Sequence, residues 1–309
     1  MNRSSEVVLH GVAVGYGARS VVAGVDARAE GGRLTALVGP NAAGKSTLMR
    51  VIAGLAPPIA GRVEIACRGM QGDPRAWGIR DRAAAIAVMP QQIRMPAGFS
   101  VGEIVAMGRH ALPRSKARAL EAIDRFGLGD LVDQAVHTLS VGQQQRVGLA
   151  RVAAQHEPGG VIVLDEPFAA LDLRELARAV SWLEACVADG AVAICSLHDL
   201  GFAARIADDA WLLDSGRLVG AGPATQVLSR GSLEGIFGTL ATGETPADSA
   251  KAFIQQDCMR LWGVDPADLA AYGPFETGEH IVPIMPQDDT GGFKFTGVYY
   301  TQQVRGVPV

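Results

Sequence analysis

The chain has 309 residues, 48% of them hydrophobic and 19% charged, which is ample apolar material for a large core. A net charge of −4 gives no basis for a nucleic-acid-coating protein, and no run approaches the roughly 18 apolar residues of a bilayer span. Four cysteines, Cys67, Cys186, Cys195 and Cys258, show neither metal-ligand nor CxxC spacing and read as reduced thiols. The first residues, 1–6, are polar and lack the apolar core of a secretory leader. Residues 6–14 read as a strand, and Arg33–Val38 as a buried strand running into a glycine-rich turn. A helix is expected from Ser46 to Ala53. Between Gln91 and Ser140 no strand is visible, and residues 101–108 and 118–126 read as helices of an insert. Residues 161–164 form an apolar run ending in acids, as in a central parallel strand. Leu173, Leu176, Val180, Leu183 and Val187 recur at helical spacing, which predicts an amphipathic helix over Leu173–Ala188, and 191–196 reads as the next strand. Strands alternating with helices imply an α/β sheet with ligands at the carboxyl ends of its strands.

The composition shifts near Leu240. Residues 240–309 carry nine acids against four bases, and eight of the seventeen aromatics. Segments that stay disordered are poor in aromatics, so this extension is expected to be partly folded and to pack on the core or its dimer mate. A helix is expected at 247–262 and a strand or hairpin arm at 292–300, with Phe293 and Phe295 on one face.

Gly39-Pro40-Asn41-Ala42-Ala43-Gly44-Lys45-Ser46-Thr47 matches GxxxxGK[ST] between a strand and a helix, the context that this motif requires. A glycine-rich turn lets backbone N–H groups converge on phosphate oxygens, and the helix behind it aims its positive dipole end there. Lys45 is placed to reach the outer phosphates and the Ser46 hydroxyl to ligate Mg²⁺. Downstream, the apolar run from Val161 ends in Asp165-Glu166-Pro167. Phosphoryl transfer needs charge neutralisation and an in-line nucleophile. Asp165 beside Mg²⁺ and Glu166 on the attacking water meet that need.

Leu139-Ser140-Val141-Gly142-Gln143 lies between these motifs. With it, the chain resembles the nucleotide-binding domain of ABC ATPases, whose LSGGQ signature stands here as LSVGQ. The resemblance covers residues 6–239 and implies a P-loop NTPase fold of the ABC type, with a helical insert at about 92–140 and a C-terminal extension at 240–309. It implies ATP and Mg²⁺ as cofactors, with Gly39, Asn41, Gly44, Lys45, Ser46 and Thr47 on the nucleotide. Taken singly, Tyr16 is a strand-end tyrosine, Gln91 a surface glutamine and His198 a structural histidine. The resemblance assigns Tyr16 to adenine stacking, Gln91 to Mg²⁺ and to the membrane partner, and His198 to the γ-phosphate. It places Asp172 at a dimer interface and has Ser140, Gly142 and Gln143 of one subunit face ATP held by another, head to tail. Two positions depart from the pattern: Val141 replaces the first signature glycine and Ala42 a common loop glycine.

Residues 91–96 and 100–109 are similar to the importer branch for iron–siderophore complexes, haem and cobalamin. The resemblance therefore implies an importer ATPase for a metal chelate, peripheral on the cytoplasmic face of the membrane. Its implied partners are a separate transmembrane permease, a second ATPase subunit as a homodimer and a substrate-binding protein, with no nucleic acid. A non-transport ABC ATPase of the iron–sulfur-assembly or DNA-repair type, an importer ATPase for another solute and a non-enzymatic regulatory module stand as alternatives. Repair members carry a long coiled coil between phosphate loop and signature, whereas this interval is short and without sustained heptads.

Overall fold

A computed structural model describes residues 5–16, 19–91, 98–229 and 232–233, with the side chains of Tyr16 and Arg19 outside that description, and the backbone of 269–271, 280–283, 296–304 and 307–308. The chain divides into two compact units, Met1–Ser229 and Arg230–Val309. The composition shift at Leu240 falls within the second.

The first unit opens with β1 (Glu6–Tyr16), β2 (Arg19–Glu30), β3 (Arg33–Val38) and α1 (Lys45–Ile52). It continues with β4 (Ala60–Cys67), β5 (Met70–Gly72), α2 (Ile79–Ala85) and β6 (Ile86–Met89). Three helices follow, α3 (Val101–Met107), α4 (Lys116–Arg125) and α5 (Val141–Gln155). The last stretch runs through β7 (Val161–Asp165), α6 (Leu173–Ala188), β8 (Val192–Ser196), α7 (Leu200–Ile206), β9 (Asp209–Asp214), β10 (Arg217–Pro223) and α8 (Ala224–Val227).

Two sheets share this unit. One is antiparallel in the order β2-β1-β4-β5, and the other runs β10-β9-β3-β8-β7-β6. In the second, β3, β6, β7, β8 and β9 pair in parallel and only β10 is antiparallel. All five residues of β7 and all five of β8 are buried, which explains their near-continuous apolar runs. The core lies where α1 is held between the sheets: Val7, Leu9 and Val12 of β1 join Leu48 and Ile52 of α1 with Val163, Ile194 and Trp211.

The expected helix at 101–108 is α3, closed at its start by a reciprocal capping box in which Ser100 and Glu103 bond each other's backbone N–H. The expectation for α6 needs one correction. Its bounds are as read, but the buried face is Ala179, Trp182, Leu183 and Cys186, while Leu173 is 84% exposed. Leu173 is the first residue after the N-cap and lies beyond the apolar stripe. Phe126 packs edge-on against Trp182 at 5.8 Å, joining the end of α4 to α6. Cys67, Cys186 and Cys195 are buried free thiols. Burial pushes Cys67 up to about 11 and Cys186 to about 12, and raises Cys195 as well, so all three are protonated and inert at neutral pH. Cys258 lies outside the described residues, and among those described no helix is long and apolar enough to cross a membrane.

In the second unit, β11 (Leu269–Ala271), β12 (His280–Pro283) and β14 (Val307–Pro308) each pair antiparallel with β13 (Thr296–Val304). The strand expected at 292–300 overlaps β13 from Thr296 onward. The helix expected at 247–262, and Phe293 and Phe295, lie outside the described residues.

Candidate nucleotide site

The loop between β3 and α1 is built around glycines that no other residue replaces without a clash. Gly39 has φ 148°, and a Cβ there would meet the Leu213 carbonyl oxygen at 2.1 Å; Gly44 has φ 98°, and a Cβ would meet Val22 Cγ2 at 2.2 Å. Ala42 also holds a positive φ, 61°, so the residue that replaces a common loop glycine keeps a left-handed backbone. Gly44 is the N-cap of α1 and has no side chain with which to cap the first turn.

Lys45 is 5% exposed, and its Nζ donates to the carbonyls of Gly39 at 2.7 Å and Pro40 at 2.9 Å, closing the loop on itself. Burial lowers its pKa, and the nearby Glu166 and Asp165 carboxylates oppose that shift. A cation held in a dry loop among carbonyl oxygens and acids is suited to an incoming polyanion.

Asp165 ends β7 directly opposite Ser196 at the end of β8. The buried Ser196 hydroxyl donates to Asp165 Oδ1, and Ser196 Oγ in turn accepts from the Glu166 backbone N–H at 2.9 Å. Glu166 turns the chain at φ 51°, a left-handed conformation unusual for a residue with a side chain. Its Oε1 is met from two sides, by Gln91 Nε2 at 2.7 Å and by His198 Nε2 at 2.6 Å. Gln91 follows β6 and His198 follows β8, so the strands flanking β7 supply both partners. Ser46, Gln91 and Asp165 line one cleft of about 670 Å³ with Met89 and Val163. The structure thus brings Lys45, Ser46, Gln91, Asp165, Glu166 and His198 together.

Ser140, Gly142 and Gln143 stand at the start of α5. Ser140 Oγ accepts from the Gln143 N–H at 3.3 Å, and Gln143 Oε1 accepts from the Ser140 N–H at 2.8 Å. Gln143, expected on the nucleotide, is here occupied in this cap. Gly142 lies against the Ala170 carbonyl, which a Cβ would approach to 2.6 Å, whereas Val141 is 70% exposed. The valine in the signature therefore points outward and disturbs no packing within the chain. Asp172 caps α6, accepting from the Glu175 N–H at 2.8 Å. The Tyr16 side chain lies outside the described residues. Two participants escaped the sequence reading, Ser196 and Gln145, whose Nε2 donates to the Glu166 carbonyl at 2.9 Å. Ser196 was discoverable only through strand register, and Gln145 was masked in a run of three glutamines.

A family model for ABC transporters matches residues 22–169. Among curated proteins, the hemin import ATP-binding protein HmuV of Rhodopseudomonas palustris (strain BisA53) is 37% identical over 247 residues, covering 77% of this chain and 89% of that protein. HmuV of Nocardia farcinica is 40% identical over 230 residues, covering 71% and 76%. Among solved structures, a metal-chelate type ABC transporter in an inward-facing conformation is similar with a TM-score of 0.61 at 26% identity, covering 75% of this chain and 89% of that one.

Proposed function

Because this chain belongs to the ABC transporter family and is an ATP hydrolase of that class, we propose that it drives the import of a metal chelate of the haem or iron–siderophore class. The observation that carries the catalytic part is the Glu166 carboxylate, held by Gln91 and His198 beside the buried Lys45. ATP enters with its phosphates on the 39–47 loop, where phosphate oxygens take over the lysine's donors from the Gly39 and Pro40 carbonyls. Asn41, Gly44 and Thr47 contribute to the same cradle, and Tyr16 stacks on adenine. Glu166 orients and polarises the attacking water, and His198 reaches the γ-phosphate.

The donor set fits Mg²⁺: one hydroxyl from Ser46, one carboxylate from Asp165 and one amide from Gln91 line a single cleft. Among the described residues no cluster of three His, Cys, Asp or Glu could hold a metal alone. Mg²⁺ is characteristically bound by one or two protein carboxylates with phosphates and waters completing its shell. When bound, the ion neutralises charge on the transferred phosphoryl group.

The working unit of this reading is a head-to-tail homodimer, in which Ser140, Gly142 and Gln143 of one subunit, with Asp172, face the nucleotide on Lys45 of the other. A transmembrane permease and a substrate-binding protein complete the system, and the ATPase is peripheral on the cytoplasmic face. Residues 240–309 are a C-terminal extension to the ATPase domain in this reading. The cargo class is supported by the relatives' names and by the metal-chelate type of the similar transporter.

The full chain is expected to hydrolyse Mg-ATP, and Glu166→Gln to lower the rate at least about a hundredfold while ATP still binds. Hydrolysis at the parent rate by Glu166→Gln would remove Glu166 from this role. Co-purification with a multi-span permease from detergent-solubilised membranes, and ATP-dependent haem uptake by vesicles holding that complex, test the transport reading. A chain found without any permease under crosslinking would sink it.

A further inference from the structure

Glu166 is gripped by its backbone as well as by its carboxylate. Its N–H donates to Ser196 Oγ at 2.9 Å and its carbonyl accepts from Gln145 Nε2 at 2.9 Å. Ser196 is 0% exposed and Gln145 9% exposed, so both bonds are made away from bulk water. Between them the residue turns at φ 51°. A side-chain-bearing residue in that region is strained and persists only where its surroundings fix it. The two bonds come from different elements: Ser196 from the neighbouring strand β8, Gln145 from helix α5.

We propose that Ser196 and Gln145 are positioning residues for ATP hydrolysis, clamping the Glu166 peptide so that its carboxylate meets the attacking water. The inference rests on the reading of Glu166 given above. Ser196 serves twice, because its single hydroxyl proton goes to Asp165 Oδ1 while its lone pair takes the Glu166 N–H. One hydroxyl thereby fixes the spacing between the carboxylate assigned to the metal and the carboxylate assigned to water. Gln145 lies on the second turn of α5, the helix that Ser140 caps and whose Gly142 abuts the Ala170 carbonyl. The segment from Glu166 to Ala170 is therefore bonded to α5 at its first residue and packed against it at its last. A displacement of α5's first turns moves the Glu166 peptide with it, so engagement of the signature at one ATP alters the catalytic carboxylate of the same chain, which serves the other ATP.

The test uses the full chain with Ser196→Ala, Ser196→Thr and Gln145→Met, each compared with the parent and with Glu166→Gln. Steady-state hydrolysis, equilibrium ATP binding and thermal melting are measured on every variant. Ser196→Ala and Gln145→Met are expected to lower kcat about ten- to a hundredfold, as a misplacement near 1 Å does. Their ATP affinity is expected to stay within about twofold, because neither residue is on the phosphate loop. Ser196→Thr, which restores the hydroxyl on a residue suited to a strand, is expected to recover most of the rate. Adding Gln145→Met to Glu166→Gln is expected to lower the residual rate by less than about twofold, because residues acting as one unit are not additive. If Ser196→Ala does not fold, Gln145→Met, close in size and lacking only the donor, decides the matter. Stalled Glu166→Gln beside unchanged kcat in folded Ser196→Ala and Gln145→Met would overturn the clamp alone. Losses of kcat that Thr does not restore and that follow melting temperature would also overturn it. Full hydrolysis by Glu166→Gln would overturn the reading and the clamp together.

Discussion

Lys45 shows how a single residue sets function against stability. Its ammonium group is buried, its pKa is lowered by that burial, and it donates to two loop carbonyls, 2.7 and 2.9 Å away. Desolvating a cation costs free energy unless strong partners are present, and the triphosphate is the partner that matches it. In the parent, ATP at a hundred times its Kd is expected to stabilise the fold by about 2.7 kcal/mol through mass action. Lys45→Met removes the charge and keeps the bulk of the stem. It is expected to weaken ATP binding by tenfold or more, taking at least about 1.4 kcal/mol from that stabilisation. Thermal melting with and without Mg-ATP checks this; an undiminished ATP-dependent upshift in Lys45→Met would place the phosphates elsewhere. Lys45 and its loop were legible in the sequence because the motif is defined by local backbone geometry. The partners of Glu166 in Ser196 and Gln145 were not, since their meeting depends on strand register and on how α5 lies.

At the scale of elements, legibility followed regularity. β3 and β7 were read nearly to the residue because a strand buried on both faces is a near-continuous apolar run, and α6 because most of its apolar residues recur at helical spacing. β2, β4, β9 and β10 were not read at all. Bulges are one physical reason: the pairing of β1 with β2 shifts register between Val12 and Val14, whose partners in β2 are Val25 and Val22, and Gly24 between those takes φ 65°. The shift turns Val22 and Val25, three residues apart, both inward, at 1% and 0% exposure, which breaks the two-residue alternation that marks a strand. β10 alternates exposed with half-buried residues and contributes little apolar signal. In the insert, α3 meets α5 through Gly108, where a Cβ would lie 2.3 Å from the Arg151 carbonyl oxygen. Gly108 has φ −54°, so alanine suffers no backbone strain there and the whole effect is steric. Gly108→Ala is expected to destabilise the chain by about 1–3 kcal/mol, as overpacking does, read by denaturant midpoint. At Gly69 a Cβ meets nothing within 4 Å but φ is 79°, so alanine there reports the backbone term alone, about 1 kcal/mol. Equal effects at the two sites would show that α3 and α5 separate easily.

For the molecule as a whole, acid sensitivity is set by an ionic cluster where α3 and α4 meet the end of α5. Arg109 is 6% exposed; its guanidinium donates to Glu157 and to the carbonyls of Ala154 and Pro113. Arg118 donates to the His156 carbonyl at 3.0 Å and lies 3.7 Å from Glu157. Burial pushes the His156 imidazole down to about 4 from 6.5; the Glu157 carboxylate opposes this, and Arg118 and Arg68 add to it. Between those values the unfolded chain binds a proton that the folded chain refuses, so stability rises with pH across this window and falls as pH drops from 6.5 toward 4. The full shift corresponds to about 3 kcal/mol lost by pH 4. Burial raises the Glu157 carboxyl, but Arg109 and Arg118 outweigh it and hold the group below its usual range. Its contribution is present above the ordinary carboxylate pKa and is likewise lost in acid, so the two groups act in the same direction. His156→Asn removes the titrating ring and leaves the Arg109–Glu157 pair. Its stability, measured by denaturant unfolding at pH 7 and pH 4.5, is expected to fall less than the parent's, by up to about 2 kcal/mol of the difference. A parent whose stability is flat across that interval would show that His156 takes up its proton in the folded chain, and with it that the end of α5 opens to water.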